Sequence, residues 1–138
     1  MTARPGLMRT AQRAARRSAS RRVSRVEIIR ELLARGDRTR LSRRLHRRVS
    51  LIVDGGGRVL APSSPVLGRD DVSRALVDLL GPASGWISSI VEVNGAPAVV
   101  FQDGSRVAGV LSLRIRACHV SGMWAVVNPD KLRHWNTP

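Results

Sequence analysis

The sequence predicts an α+β domain in which a curved antiparallel sheet packs on three helices behind an arginine-rich leader. Three observations predict it. Apolar residues recur at helical spacing up to about residue 49, then switch to alternation, the period of a strand with one buried face. From Trp86 onward two hairpin signals, Asn94-Gly95 and Asp103-Gly104, punctuate the alternating runs, because tight turns need the positive backbone angles that Asn, Asp and Gly tolerate. No regular strand–helix alternation of the kind that builds a parallel sheet accompanies them.

The elements follow in order. Val23-Ser24-Arg25-Val26-Glu27-Ile28 reads as a helix start, with Ser24 as cap, Glu27 closing the capping box and Val23 packing on Ile28. Val26, Ile29 and Leu33 form its apolar stripe, and Gly36-Asp37 ends it. A second short helix carries Leu41, Leu45 and Val49 on its inner face and a row of arginines outside. Val49, Leu51 and Val53 alternate in a first strand closed by Asp54-Gly55-Gly56-Gly57, with Arg58-Val59-Leu60 returning as a short partner strand. A third helix is expected at roughly 70–80, where Asp70 and Asp71 sit at its positive end and Gly81-Pro82 stops it. Strands follow at about 86–93, 97–102, 106–116 and 119–127. In the third of these, Val107, Gly109, Leu111, Leu113 and Ile115 are expected to face inward together.

Charge divides the chain. The formal net charge is +14 over 138 residues, enough length for one hydrophobic core. Residues 1–48 hold sixteen arginines against Glu27, Glu31 and Asp37, whereas the remainder carries eight basic and seven acidic side chains. The basic end therefore suits a polyanion such as nucleic acid, without sequence readout. Arg16, Arg17, Arg21 and Arg22 in the leader, and Arg43, Arg44, Arg47 and Arg48 on the second helix, are the candidates for that contact. The plainer alternative is that residues 1–22 are an unstructured leader, or arginine-rich coding sequence ahead of a misplaced start. Domain boundaries are expected at 1–22 for the leader, 23–134 for the folded unit and 135–138 for a tail.

Cys118 is the only cysteine, so the chain forms no internal disulfide, which suits a reducing compartment, and builds no thiolate cluster. No apolar run is long enough to span a membrane. A cytoplasmic protein without cofactor or metal is expected. His46, His119 and His134 show no metal-ligand spacing. A general acid–base pair would need His119 to meet a carboxylate, with Asp54 and Glu92 the candidates by position. No motif pins any of them, and no catalytic residue is assigned.

Four motifs carry a family resemblance: Val53-Asp54-Gly55-Gly56-Gly57-Arg58-Val59, Pro65-Val66-Leu67-Gly68, Val93-Asn94-Gly95-Ala96-Pro97-Ala98, and Val126-Val127-Asn128-Pro129-Asp130-Lys131-Leu132-Arg133. In this order they resemble the SnoaL-like C-terminal domain of extracytoplasmic-function RNA polymerase sigma factors, over about residues 24–134. The resemblance implies an NTF2-like, cone-shaped barrel and a non-catalytic regulatory or interaction domain related to transcription, with RNA polymerase or a sigma factor as partner. It also implies pairing through the sheet, as a homodimer or on a larger protein. Asp54, Gly55, Gly56 and Gly57 with Asn128, Pro129, Asp130, Lys131 and Leu132 are then the candidate regulatory surface. The local alternatives are a tight reversal with Asp54 bonded to its own backbone, and a structural clamp at the C-terminal end.

Departures from the family pattern are also visible. Residues 1–22 cannot contain the promoter-reading regions of a sigma factor, so a working sigma factor is not expected from this chain alone. The family's second helix usually leads through an acidic or proline-containing turn, where this chain has His46-Arg47-Arg48-Val49, and its last hairpin turns at Asp-Gly, where this chain has Ala117-Cys118. The alternative that the fold class permits is a small cone-barrel enzyme or binding protein for an apolar, polyketide- or steroid-like compound. In that case Gly109, Ala108, Ala98 and Gly122 would line a cavity that Trp86, Phe101 or Trp124 could instead fill.

Overall fold

The computed structural model describes residues 5–57 and 61–137. Helix α1 runs Pro5–Arg35, α2 Arg38–Arg44, strand β1 Leu45–Asp54, β2 Val66–Leu67, and α3 Arg69–Leu80. A short 3-10 turn at Pro82–Ser84 leads into β3 (Ile87–Val93), β4 (Ala96–Asp103), β5 (Arg106–Arg116), β6 (His119–Val126) and α4 (Arg133–Asn136).

Helix α1 starts nineteen residues before Ser24. Proline at the first helical position and the run of Ala and Arg after it favour helix intrinsically, and no glycine or proline interrupts 7–35. Ser24 is therefore inside the helix, where its hydroxyl donates to the Ser20 carbonyl at 3.0 Å instead of capping. Residues 6–24 are exposed, and burial begins where the apolar stripe does, at Val26, Ile29, Leu32 and Leu33. Gly36 takes φ +68°, and its N–H and that of Asp37 close on the carbonyls of Leu33 and Leu32. Asp37 then caps α2 through Arg40 N–H at 3.1 Å. Helix α2 is shorter than its apolar spacing predicts: Leu45 and Val49 are both buried but already in β1. In a strand the same four-residue spacing also returns a side chain to one face.

The six strands of the described residues form one sheet in the order β2-β1-β6-β5-β4-β3. This corrects two expectations. The sheet is mixed, since β1 runs parallel to β6 with Ser50 opposite Gly122 and Asp54 opposite Val126. It is also open and does not close into a cone-shaped barrel. Closure requires the two end strands to pair with one another. Here β2, only two residues long, and β3 stand at opposite edges with four strands between them. Val66–Leu67 is the strand found paired antiparallel to Ser50–Leu51. The return strand expected at Arg58-Val59-Leu60 lies outside the described residues.

Helices α1, α2 and α3 cover one face of this sheet and bury the main core, with Val26, Ile29, Leu33, Leu41, Val72 and Leu76 against Leu51, Val99, Phe101, Leu111 and Met123. Trp86 tilts against Phe101 on that side with ring centroids 6.4 Å apart, whereas Trp124 lies on the opposite face under the Arg114 guanidinium at 5.1 Å. Ala98 belongs to a second apolar cluster, with Val100, Val107, Val110 and Leu132, and Gly122 lies beneath the Trp124 ring. The small residues expected to line one cavity are therefore split between two faces.

The inward row expected along β5 is also broken. Phe101 pairs with Gly109 but Gln102 with Val107, so Ala108 is an extra residue and the bulge turns Val107 to the second cluster. The Asn136 side chain satisfies the displaced backbone. Its Oδ1 accepts from Val107 N–H at 2.7 Å, and its Nδ2 donates to the Val107 carbonyl at 3.1 Å. Residues expected as a tail from 135 thus include a side chain that binds the sheet.

Candidate interaction surface

The parallel β1–β6 pair carries the two motif segments to one end of the sheet. The Asp54 carbonyl accepts from Val127 N–H at 2.9 Å, which sets Asn128 beside the end of β1. Asn128 precedes proline, which disfavours the helical conformation there, and its carbonyl accepts from the N–H groups of Lys131 and Leu132 at 3.1 and 3.2 Å to form one tight turn.

Asp54 is the centre of the cluster. Its Oδ1 accepts from Gly56 N–H at 3.2 Å and from Asn128 Nδ2 at 3.3 Å, and its Oδ2 forms an ion pair with Lys131 Nζ. The Lys131 ammonium holds the Asp54 carboxyl below its ordinary pKa, partial burial opposes it, and the Asn128 and Gly56 donors add to the lowering. Asn128 is buried and also accepts Asp130 N–H on Oδ1 at 3.1 Å. Gly56, at φ +64°, has no room for a side chain, because a Cβ there would lie 2.6 Å from Asn128 Nδ2 and nearer still to Cγ and Oδ1.

The nine candidate residues are thus distributed unequally. Asp54, Lys131 and Asp130 present charge to solvent, with side chains 29%, 65% and 47% exposed. Arg133 adds a guanidinium 3.8 Å from Asp130. Gly55 is buried, Gly57 is exposed at φ +72°, Pro129 is half-buried, and Leu132 is sealed in the second apolar cluster as an anchor. The Gly56 N–H is occupied by Asp54, so the glycines form a turn that buttresses Asn128.

The arginine candidates separate in space. Arg16, Arg17, Arg21 and Arg22 lie on the exposed part of α1 ahead of its apolar stripe, and Arg47 and Arg48 are exposed on β1. Arg43 and Arg44 face a cleft of about 670 Å³ between α1, α2 and the β5–β6 turn, together with Arg35 and Arg40. Arg35 was not distinguished by the sequence reading, since only the Gly36 reversal folds α2 back beside it. Arg25 was missed as well. From within α1 it donates to the Ala117 carbonyl and approaches Cys118 Sγ at 3.8 Å, clamping a turn in which Ala117 holds φ +53°.

His119 and Asp54 do not meet. They occupy opposite ends of the β1–β6 ladder, roughly 20–25 Å apart at the rise of a strand. Glu92 is exposed on the edge strand β3. Among the described residues no group of three His, Cys, Asp or Glu is placed to hold a metal, and no helix is long and apolar enough to cross a membrane.

No protein-family model and no curated protein matches the chain. Solved structures do. The extracytoplasmic function sigma factor SigJ of Mycobacterium tuberculosis is similar over 96% of this chain, at 25% identity and a TM-score of 0.63. This chain spans only 52% of that protein's length. An NTF2-like protein from Burkholderia xenovorans LB400 is similar over 84% of this chain and 95% of its own, at 16% identity and a TM-score of 0.54. A second NTF-2 like protein from that organism, of unknown function, is similar over 85% and 97%, at 13% identity and the same TM-score of 0.54. The open sheet with its covering helices is therefore similar in fold to NTF2-like proteins, and over nearly its whole length to part of a sigma factor.

Proposed function

We propose that residues 23–134 act as a regulatory or interaction domain that docks on RNA polymerase or a sigma factor through the Asp54–Asn128–Lys131 surface. The observation that carries the reading is the convergence of two segments, 74 residues apart in sequence, into one buttressed and charged patch. Asn128 and Gly56 hold the patch rigid, so little side-chain ordering remains to be lost when a partner binds. Similarity to about half of a sigma factor, at 25% identity, supplies the class of partner. The exposed arginines of α1, at the other end of the sheet, serve as a separate polyanion-binding arm.

The test is affinity capture from the source cell lysate in low and high salt, comparing the natural chain with Lys131→Glu. Retention of RNA polymerase subunits or a sigma factor at high salt by the natural chain, and their loss from the variant, is expected. Equal retention by both chains refutes the assigned surface. Capture of an apolar metabolite without any protein refutes the interaction reading altogether.

A further inference from the structure

The cleft between α1, α2 and the β5–β6 turn lies apart from the Asp54 surface, and its chemistry is different. Its rim carries Arg35, Arg40, Arg43 and Arg44, and its floor is Ile28 and Leu32. Beyond Arg44 it continues into a hollow of about 210 Å³ whose walls include Ile29, Ile115 and Val120, together with Arg25, whose guanidinium donates to the Ala117 carbonyl. Ile28, Arg44, Cys118 and His119 border both spaces, so the two are one groove, basic at the mouth and more apolar within.

The charge at the mouth is not balanced from inside the fold. Glu31 is the one carboxylate on the lining, and Arg40 is drawn to Asp37 at 3.6 Å. Arg35, Arg43 and Arg44 have no ion-pair partner among the described residues. Adjacent guanidinium groups repel, and an oxyanion accepting from them relieves that repulsion while gaining charge-assisted hydrogen bonds. The apolar hollow behind them gains nothing from an inorganic anion, but it removes a hydrocarbon chain from water. A nucleic-acid strand fits poorly, because no Phe, Tyr or Trp lines the groove for bases to stack on.

We propose that this groove binds an organic anion, a carboxylate or phosphate head on an apolar chain, with the head on Arg35, Arg43 and Arg44 and the chain along Ile28 toward Ile115 and Val120. The cleft is within the size range of small-ligand sites. Cys118, the only cysteine and exposed at the groove, reports occupancy without any knowledge of the natural ligand.

The experiment measures the rate at which a thiol reagent modifies Cys118 in the full chain, with decanoate, decyl phosphate, decanol, inorganic phosphate or a short DNA oligonucleotide present. Decanoate and decyl phosphate are used below their micelle concentrations, and whichever protects better identifies the head group. Both are expected to slow modification, with the apparent Kd weakened about tenfold in Arg44→Gln, the order expected for losing a charged hydrogen bond. Arg43→Gln provides a second variant, and each variant's thermal melt checks its fold. Equal protection by decanol would mean that the arginines contribute nothing, and equal protection by inorganic phosphate would remove the apolar part of the site. Either outcome overturns the proposal. So does absence of protection by both amphiphiles, an unchanged Kd in both variants, or protection by the oligonucleotide alone.

Discussion

Replacing Gly56 by alanine tests whether the Asp54–Asn128 cluster is as rigid as its geometry implies. Two costs apply. A left-handed backbone at φ +64° disfavours a residue with a Cβ by about 1–2 kcal/mol. The new methyl would also lie 2.6 Å or less from the Asn128 amide, which is buried and hydrogen-bonded on both ends, and overpacking of this kind costs about 1–3 kcal/mol. The combined loss is about 2–5 kcal/mol, or a fall in Tm of roughly 6–20 °C for a chain of this size. The assay is thermal and urea unfolding of Gly56→Ala, Asn128→Ala and the double variant. Truncating Asn128 removes the three atoms nearest to the new methyl, its Cγ, Oδ1 and Nδ2. In that background Gly56→Ala should cost about 1–2 kcal/mol, the backbone part alone. Equal cost in both backgrounds would refute the steric contact, and a cost near zero in the natural chain would refute the strained turn as well.

Two further predictions concern single positions. Ala117→Gly should stabilise the fold by about 1 kcal/mol, since glycine adopts the φ of +53° without a Cβ penalty and Arg25 bonds only to the backbone carbonyl there; a lower Tm for this variant would contradict the turn geometry. Asp54 has its pKa lowered by folding, so its contribution is present above the unfolded value of about 4 and is lost as pH falls through the folded value. Asp54→Asn should accordingly flatten the acid limb of stability against pH below about 4. An unchanged limb, or a carboxyl titrating at or above the ordinary value by NMR, would remove Lys131 as its partner.

Local chemistry made much of the fold legible in the sequence. The strands from Ile87 to Val126 agree with their alternation to within a residue or two, because Asn94-Gly95 supplies both positive backbone angles of its hairpin and Gly104 the one that its turn needs. The end of α1 at Gly36 and the extent of α3 follow from cap and charge signals of the same local kind. Of the candidate surface, the two segments were identifiable as motifs, and their meeting was not. Their contact depends on the parallel pairing of β1 with β6, between segments some 70 residues apart, and no local signal reports a pairing partner. The bulge at Ala108, which sends Val107 away from Leu111, arises from a mismatch between two strands and is invisible in either one. Whether the sheet closes is likewise a property of all its strands together. Residue types determined which backbone states were accessible, whereas long-range pairing decided which of them were assembled into an open sheet, a charged patch at its end and a basic groove beside α2.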